Sequence, residues 1–148
     1  MLNLVPEPID FVISTTDVEV VYTEHGGAKI RLDAQRSDIQ PTNAQSTANQ
    51  PTASMEYEEL EIYLPIVAEV NCISLNFYEA HHGEFEILDG QGMNGFYAVQ
   101  DSQHLQQRQP LYDPRNRLNL RHYLITGNDS YIELIASDYS IRKTQKEK

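Results

Sequence analysis

"DVEVVYTEHGGAKIRLDA", Asp17 to Ala34, decides the class of this chain. Val18, Val20 and Tyr22 alternate with polar residues, and beyond a glycine pair so do Ala28, Ile30 and Leu32. Side chains on a strand point alternately to opposite faces, so two period-two runs around a short glycine loop read as an antiparallel hairpin with one buried face. A three-residue loop, His25-Gly26-Gly27, sets Tyr22 against Ile30 and Val20 against Leu32. A two-residue loop would set Val20 against Asp33, so the buried face selects the longer one. On the outer face Thr23 then meets Lys29, and Glu19 lies diagonal to Arg31. His25 is thereby a turn residue.

The same period extends along the chain. In "YEELEIYLP", Leu60, Ile62 and Leu64 share one face, and Tyr57, Glu59, Glu61 and Tyr63 the other, with Pro65 ending the strand or marking an edge. In "IVAEVNCISLNFYEA" the apolar phase runs Ile66, Ala68, Val70, Cys72 and then shifts to Ile73, Leu75, Phe77. That slip predicts a β-bulge or a bend near Cys72, with Cys72 a small buried hydrophobe. "GEFEILDG" and "GFYAVQD" read as two short strands. "DSQHLQQRQPLYDPRNR" reads as one helical turn and a proline-punctuated loop. The last hairpin turns at Gly127-Asn128-Asp129, with two registers open: Leu124 buried with Ile132 and Leu134, or Ile125 against Ile132.

About eight short strands with turns between them predict an all-β or β-rich fold, a single antiparallel sandwich or barrel-like sheet with at most one short helix. At 148 residues the chain suits one domain. We expect residues 1–148 to form it, with a long polar loop at 37–54, where large apolar side chains are almost absent, and a frayed tail at 142–148. One cysteine excludes an internal disulfide and suggests a reducing compartment. No basic-then-apolar leader opens the sequence and no run reaches membrane-spanning length, so the expected location is cytoplasmic, with no membrane partner.

The net charge of −11 is unevenly spread. Between Ser37 and Gln100 lie ten Asp and Glu and no Lys or Arg, whereas from Asp101 onward eight bases face six acids. Such a stretch repels phosphate, which argues against nucleic acid, and attracts a basic protein. Tyr57, Glu59, Glu61 and Tyr63, with Glu84 and Glu86 if their strand lies alongside, would form an acidic, tyrosine-bearing face of that kind. Carboxylates accept arginine, and tyrosine anchors interfaces.

The stretch "FYEAHHGEFEILDGQGMNGFY" offers rival chemistry in His81-His82 and in Gly90, Gly92 and Gly95. Adjacent histidines on a strand point apart, and their spacing matches no zinc motif, so Ala80 to Gly83 reads as a hairpin loop and no metal or cofactor is expected. The glycines lack the flanking strand, helix and lysine of a phosphate loop. No catalytic residue is singled out, since no nucleophile elbow accompanies the histidines. His122, on the side of Leu120 and Leu124, reads as a core or rim residue.

The run Leu120 to Ile141, "LRHYLITGNDSYIELIASDYSI", resembles the closing strands of small bacterial immunity proteins of polymorphic-toxin systems. That resemblance implies a cytoplasmic, non-enzymatic inhibitor that blocks a cognate toxin. The sequence-level expectation is therefore a protein-binding domain that occludes a basic partner. Two alternatives stand beside it: a small-ligand-binding or enzymatic β-barrel with a polar pocket containing His122 and one of the arginines, and a homodimeric structural subunit. A deep polar pocket would favour the first alternative, and a flat acidic sheet the protein binder.

Overall fold

A computed structural model describes residues 2–13, 17–36, 58–81, 84–88 and 94–144, and the expected loop at 37–54, Tyr57, His82, Gly90 and Gly92 lie outside them. Among the described residues the elements are β1 Leu2–Pro6, β2 Phe11–Ile13, β3 Glu19–Thr23, β4 Gly27–Arg36, β5 Glu58–Leu64, β6 Val67–Ile73, α1 Phe77–His81, β7 Phe85–Ile87, β8 Phe96–Gln100, α2 Gln103–Tyr112, β9 Arg121–Thr126, β10 Tyr131–Ala136 and β11 Ser140–Lys143. The fold is β-rich. One sheet has the order β6-β10-β9-β8-β1-β7; the other runs β11-β5-β4-β2, with β3 also on β4. All neighbours are antiparallel except β1 and β7.

The alternating residues of the opening hairpin and of β5 supply one wall of the core. Ala28, Ile30, Leu32, Leu60, Ile62 and Leu64 pack against Phe96, Tyr123, Ile125, Ile132 and Leu134 of the other sheet. Each such aliphatic side chain taken wholly out of water contributes roughly 1.5–3 kcal/mol. The six-stranded sheet is covered on its other side too, where Leu4, Tyr97, Val99, Leu124 and Tyr131 pack with Phe77 of α1. Sheet on sheet, with helices on one outer face, is the architecture.

That third layer explains several departures from the sequence reading. β6 carries apolar residues in both phases because Val70 faces the inter-sheet core and Ile73 the helical side. No slip is needed at Cys72; the register shift falls at Ala68, between the pairs Ile135–Glu69 and Ala136–Val67. Cys72 pairs with Ile132 on an edge strand and is exposed, not buried. Ala80 and His81, expected in a hairpin loop, instead end α1, where the Asn76 side chain accepts from the backbone N–H of Tyr78 at 2.9 Å and Glu79 at 3.2 Å, an N-cap. β7 then pairs with β1, not with β6.

The opening hairpin keeps its faces but moves its turn by one residue. Thr23 pairs with Gly27 and Val20 with Ile30, leaving Glu24-His25-Gly26 as the loop. The Thr23 hydroxyl accepts from the Gly26 N–H at 2.9 Å, closing it. Gly27 has φ 74°, and a Cβ there would stand 2.4 Å from the Leu64 carbonyl, so only glycine fits where β4 meets the end of β5. Of the two registers open for the last hairpin, Ile125 against Ile132 is adopted. Residues 142 and 143, assigned to a frayed tail, complete β11 beside β5. The helical turn expected after Asp101 is a ten-residue helix, α2, capped by Ser102.

Candidate functional site

The acidic face is not what its sequence suggests. Glu59, Glu61 and Tyr63 do share the outer face of β5, but β5 is flanked by β4 and β11, which carry bases. Arg31 and Arg142 donate to the two oxygens of Glu61 at 3.1 and 2.9 Å, and Arg31 reaches Glu19 at 3.5 Å. Glu61 is 2% exposed. Burial alone would raise its pKa, but the two guanidinium hydrogen bonds hold it below the ordinary carboxylate value. Lys29 lies 5.9 Å from the Tyr63 ring centroid, and Thr144 binds Glu59. Glu84 and Glu86 are exposed but belong to the other sheet, beside and within β7. The expected six-residue patch is therefore not one surface, and its central carboxylate is withdrawn from solvent.

A different constellation forms on the helical side of the six-stranded sheet. His122 of β9, Glu133 of β10 and Glu69 of β6 lie on this face, and α1 and the start of α2 stand over it. Between the helices lies a cavity of about 510 Å³ lined by His81, Ser102, His104, His122 and Glu133, with Glu84 and Asp101 beside them. Ser102 does two jobs there. Its hydroxyl caps α2 by accepting from the Leu105 N–H at 3.0 Å, and it lies 2.7 Å from His122 Nδ1.

The tautomer of His122 follows from its neighbours. Glu133 Oε2 is 3.9 Å from Nε2, which favours a proton on Nε2 facing the carboxylate. Ser102 then donates its hydroxyl hydrogen to Nδ1. His122 is only 4% exposed, yet its Nε2 has no hydrogen-bond partner among the described residues, and neither has His81 Nε2. Burial, then the nearby His104, push the His122 pKa down to about 4, against a small opposing pull from Glu69, so the ring is neutral at pH 7. Burial likewise raises Glu133 above the ordinary carboxylate value.

α2 buries no side chain of its own and is held from one side. His104 and Arg108 contact the Glu69 carboxylate at 2.8 and 3.3 Å, and the Tyr112 hydroxyl donates to it. Positions 104, 108 and 112 are one helical face. Burial would raise Glu69, but the Tyr112 and His104 hydrogen bonds lower it.

Sequence reasoning had singled out His122 and His81 separately, as rim and turn residues, and had missed Ser102, His104, Glu69 and Glu133. A signal for Ser102 existed: serine two residues beyond the strand end, before Gln103 to Gln109, a run rich in good helix formers that meets no proline until Pro110, is an N-cap pattern. Among the described residues no three of His, Cys, Asp and Glu are placed to share a metal ion. No helix among them is long and apolar enough to cross a membrane. Comparison with protein-family models, with characterised proteins and with solved structures gives no match.

Proposed function

We propose that this chain is a non-catalytic binding protein whose ligand enters the cavity between α1 and α2. The observation that carries this reading is His122: a nearly wholly buried imidazole whose Nε2 faces the cavity without a partner. Leaving a buried polar atom unsatisfied costs roughly 1–3 kcal/mol, a cost a ligand can remove by supplying the partner. Catalysis fits the same geometry less well. Ser102 is committed as a helix cap, a histidine with a pKa of about 4 is a weak base, and Glu133 stands beyond hydrogen-bond reach of it. The test is a screen of small polar compounds, cationic, neutral and anionic, read by the ring ¹⁵N and ¹H resonances of His122. At least one compound should shift them saturably, and that shift should vanish in His122→Gln. A screen in which no compound moves His122 overturns the reading.

A second reading, inhibition of a protein partner as in immunity proteins, is favoured by a different surface. β3 and β6 are edge strands on one side of the sandwich, and Val20, Tyr22, Val67, Val70 and Cys72 line a groove of about 420 Å³ between them. Tyr22 is 55% exposed although it pairs beside buried Ala28. Edges with no further strand among the described residues, beside exposed apolar side chains, suit an added strand of a partner. A protein that co-purifies with the chain from its own cells should be lost with Tyr22→Asp. Equal recovery with the variant, or no partner at all, removes this reading.

A further inference from the structure

We propose that the cavity selects a small primary ammonium compound, the protonated amine pairing with Glu133 while His122 Nε2–H donates to a neutral oxygen of the same molecule. The proposal rests on the cavity being a binding site and names its ligand class. Three carboxylates, Glu84, Asp101 and Glu133, line the cavity, and among its described lining residues there is no lysine or arginine. Of the three lining histidines, His122 is neutral at pH 7 and His104 is turned toward Glu69 at 2.8 Å, so the three carboxylates outnumber His81, the one histidine left to face them. A cation is therefore drawn in and an anion turned away.

Glu133 identifies where the cation sits. It lies on β10 with Tyr131 on one side and Ile135 on the other along the same face, and both neighbours are buried. Its nearest charged or polar contact is His122 at 3.9 Å, whose neutral ring supplies no counter-charge. A carboxylate so placed is three-quarters withdrawn from water and has no arginine or lysine within ion-pair distance among the described residues, and an ammonium supplies the missing charge. The unpartnered Nε2 of His122, 4% exposed and facing the same space, is an independent sign that an incoming group is expected. An organic cation fits better than a metal ion, because no three potential ligands among the described residues converge. An ammonium carries three diverging N–H donors, which suits one carboxylate together with scattered polar groups such as those of Asn3 and Gln100, residues that also line the site. The volume of about 510 Å³ lies in the range of small-molecule sites and suits an amino sugar or amino alcohol.

The probes are ethanolamine and glucosamine, with glucose as the neutral match and acetate as the anion, titrated into the full chain at pH 7. Binding is read by His122 ring resonances and by thermal shift. We expect an amine to move His122 and glucose and acetate not to, with the amine affinity at least tenfold weaker in Glu133→Gln and several-fold weaker in Glu84→Gln. Because Glu133→Gln could disturb the fold, its melting curve is recorded alongside, and Glu84→Gln, at an exposed position, gives the same test without that ambiguity. Amine binding that neither variant weakens places the amine elsewhere and overturns the proposal. Glucose or acetate moving His122 while the amines do not overturns the ligand class but leaves the cavity as a binding site. If no compound moves His122, both fall.

Discussion

Glu61→Lys should cost the fold about 4 kcal/mol or more, whereas Glu86→Lys should change stability by less than about 1 kcal/mol. Both replace a glutamate on a strand, and sequence alone gives no reason to separate them. Glu61 sits in the middle of a cross-strand row, with Arg31 of β4 on one side and Arg142 of β11 on the other, and is 2% exposed. Its carboxylate accepts a hydrogen bond from each guanidinium. Lysine there removes both charge-assisted bonds and places a third cation between two others, at a position that is itself 2% exposed. Glu86 is exposed on β7, at the edge of the other sheet, and pairs with no arginine among the described residues. Glu61→Gln is the intermediate case: it keeps the shape and one acceptor, and because Arg31 and Arg142 are themselves 42% and 67% exposed they can recover water, so about 2 kcal/mol is expected. Urea unfolding at a fixed m-value measures all three. A Glu61→Lys protein with a midpoint close to that of Glu86→Lys would mean the row contributes little.

That row also shows why the charge pattern of the sequence misled. Counting charge along the chain assumes that neighbours in sequence are neighbours in space. In an antiparallel sheet they are not: the partners of Glu61 lie 30 and 81 residues away, in segments where the bases are. The alternation of Ile30, Leu32, Leu60, Ile62 and Leu64 was legible because a strand's faces are fixed by its own residues. The register of its turn was legible only to within a step of two, because such a step preserves the faces and the choice falls to Thr23 and Gly27. The cavity was illegible for a stronger reason. His81, Ser102, His122 and Glu133 come from four elements or their caps, and nothing local in sequence says that α1 and α2 cover the same side of one sheet. What was present, and underused, were the two cap signals: Asn76 with Glu79 three residues on, and Ser102 after the end of β8.

The pH dependence of stability should carry the signature of His122. Its folded-state pKa, about 4, lies below the ordinary histidine value of 6.5. Between those two pH values the unfolded chain takes up a proton that the folded chain refuses, so stability is lost as pH falls from about 6.5 toward 4. A gap of about 2.5 pKa units corresponds to about 3 kcal/mol. Four groups face the ring: Ser102 and His104 from α2, Glu133 from β10 and Glu69 from β6. Glu133, whose pKa is raised, works in the opposite sense and gains stability as pH falls. Glu61 and Glu69, both lowered, lose stability as pH falls below the ordinary carboxylate value. The wild-type curve alone therefore mixes several signs, and the informative quantity is its difference from His122→Gln, which retains a polar side chain next to Ser102 but cannot titrate. That difference should shift by about 3 kcal/mol in favour of the variant between pH 7 and pH 4, most of it already gone by pH 4.5, above the range where Glu61 and Glu69 dominate. Parallel curves for the two proteins would mean that His122 gains its proton in the folded state as readily as in the unfolded one, and that its ring is open to water, not walled in between the sheet and α2.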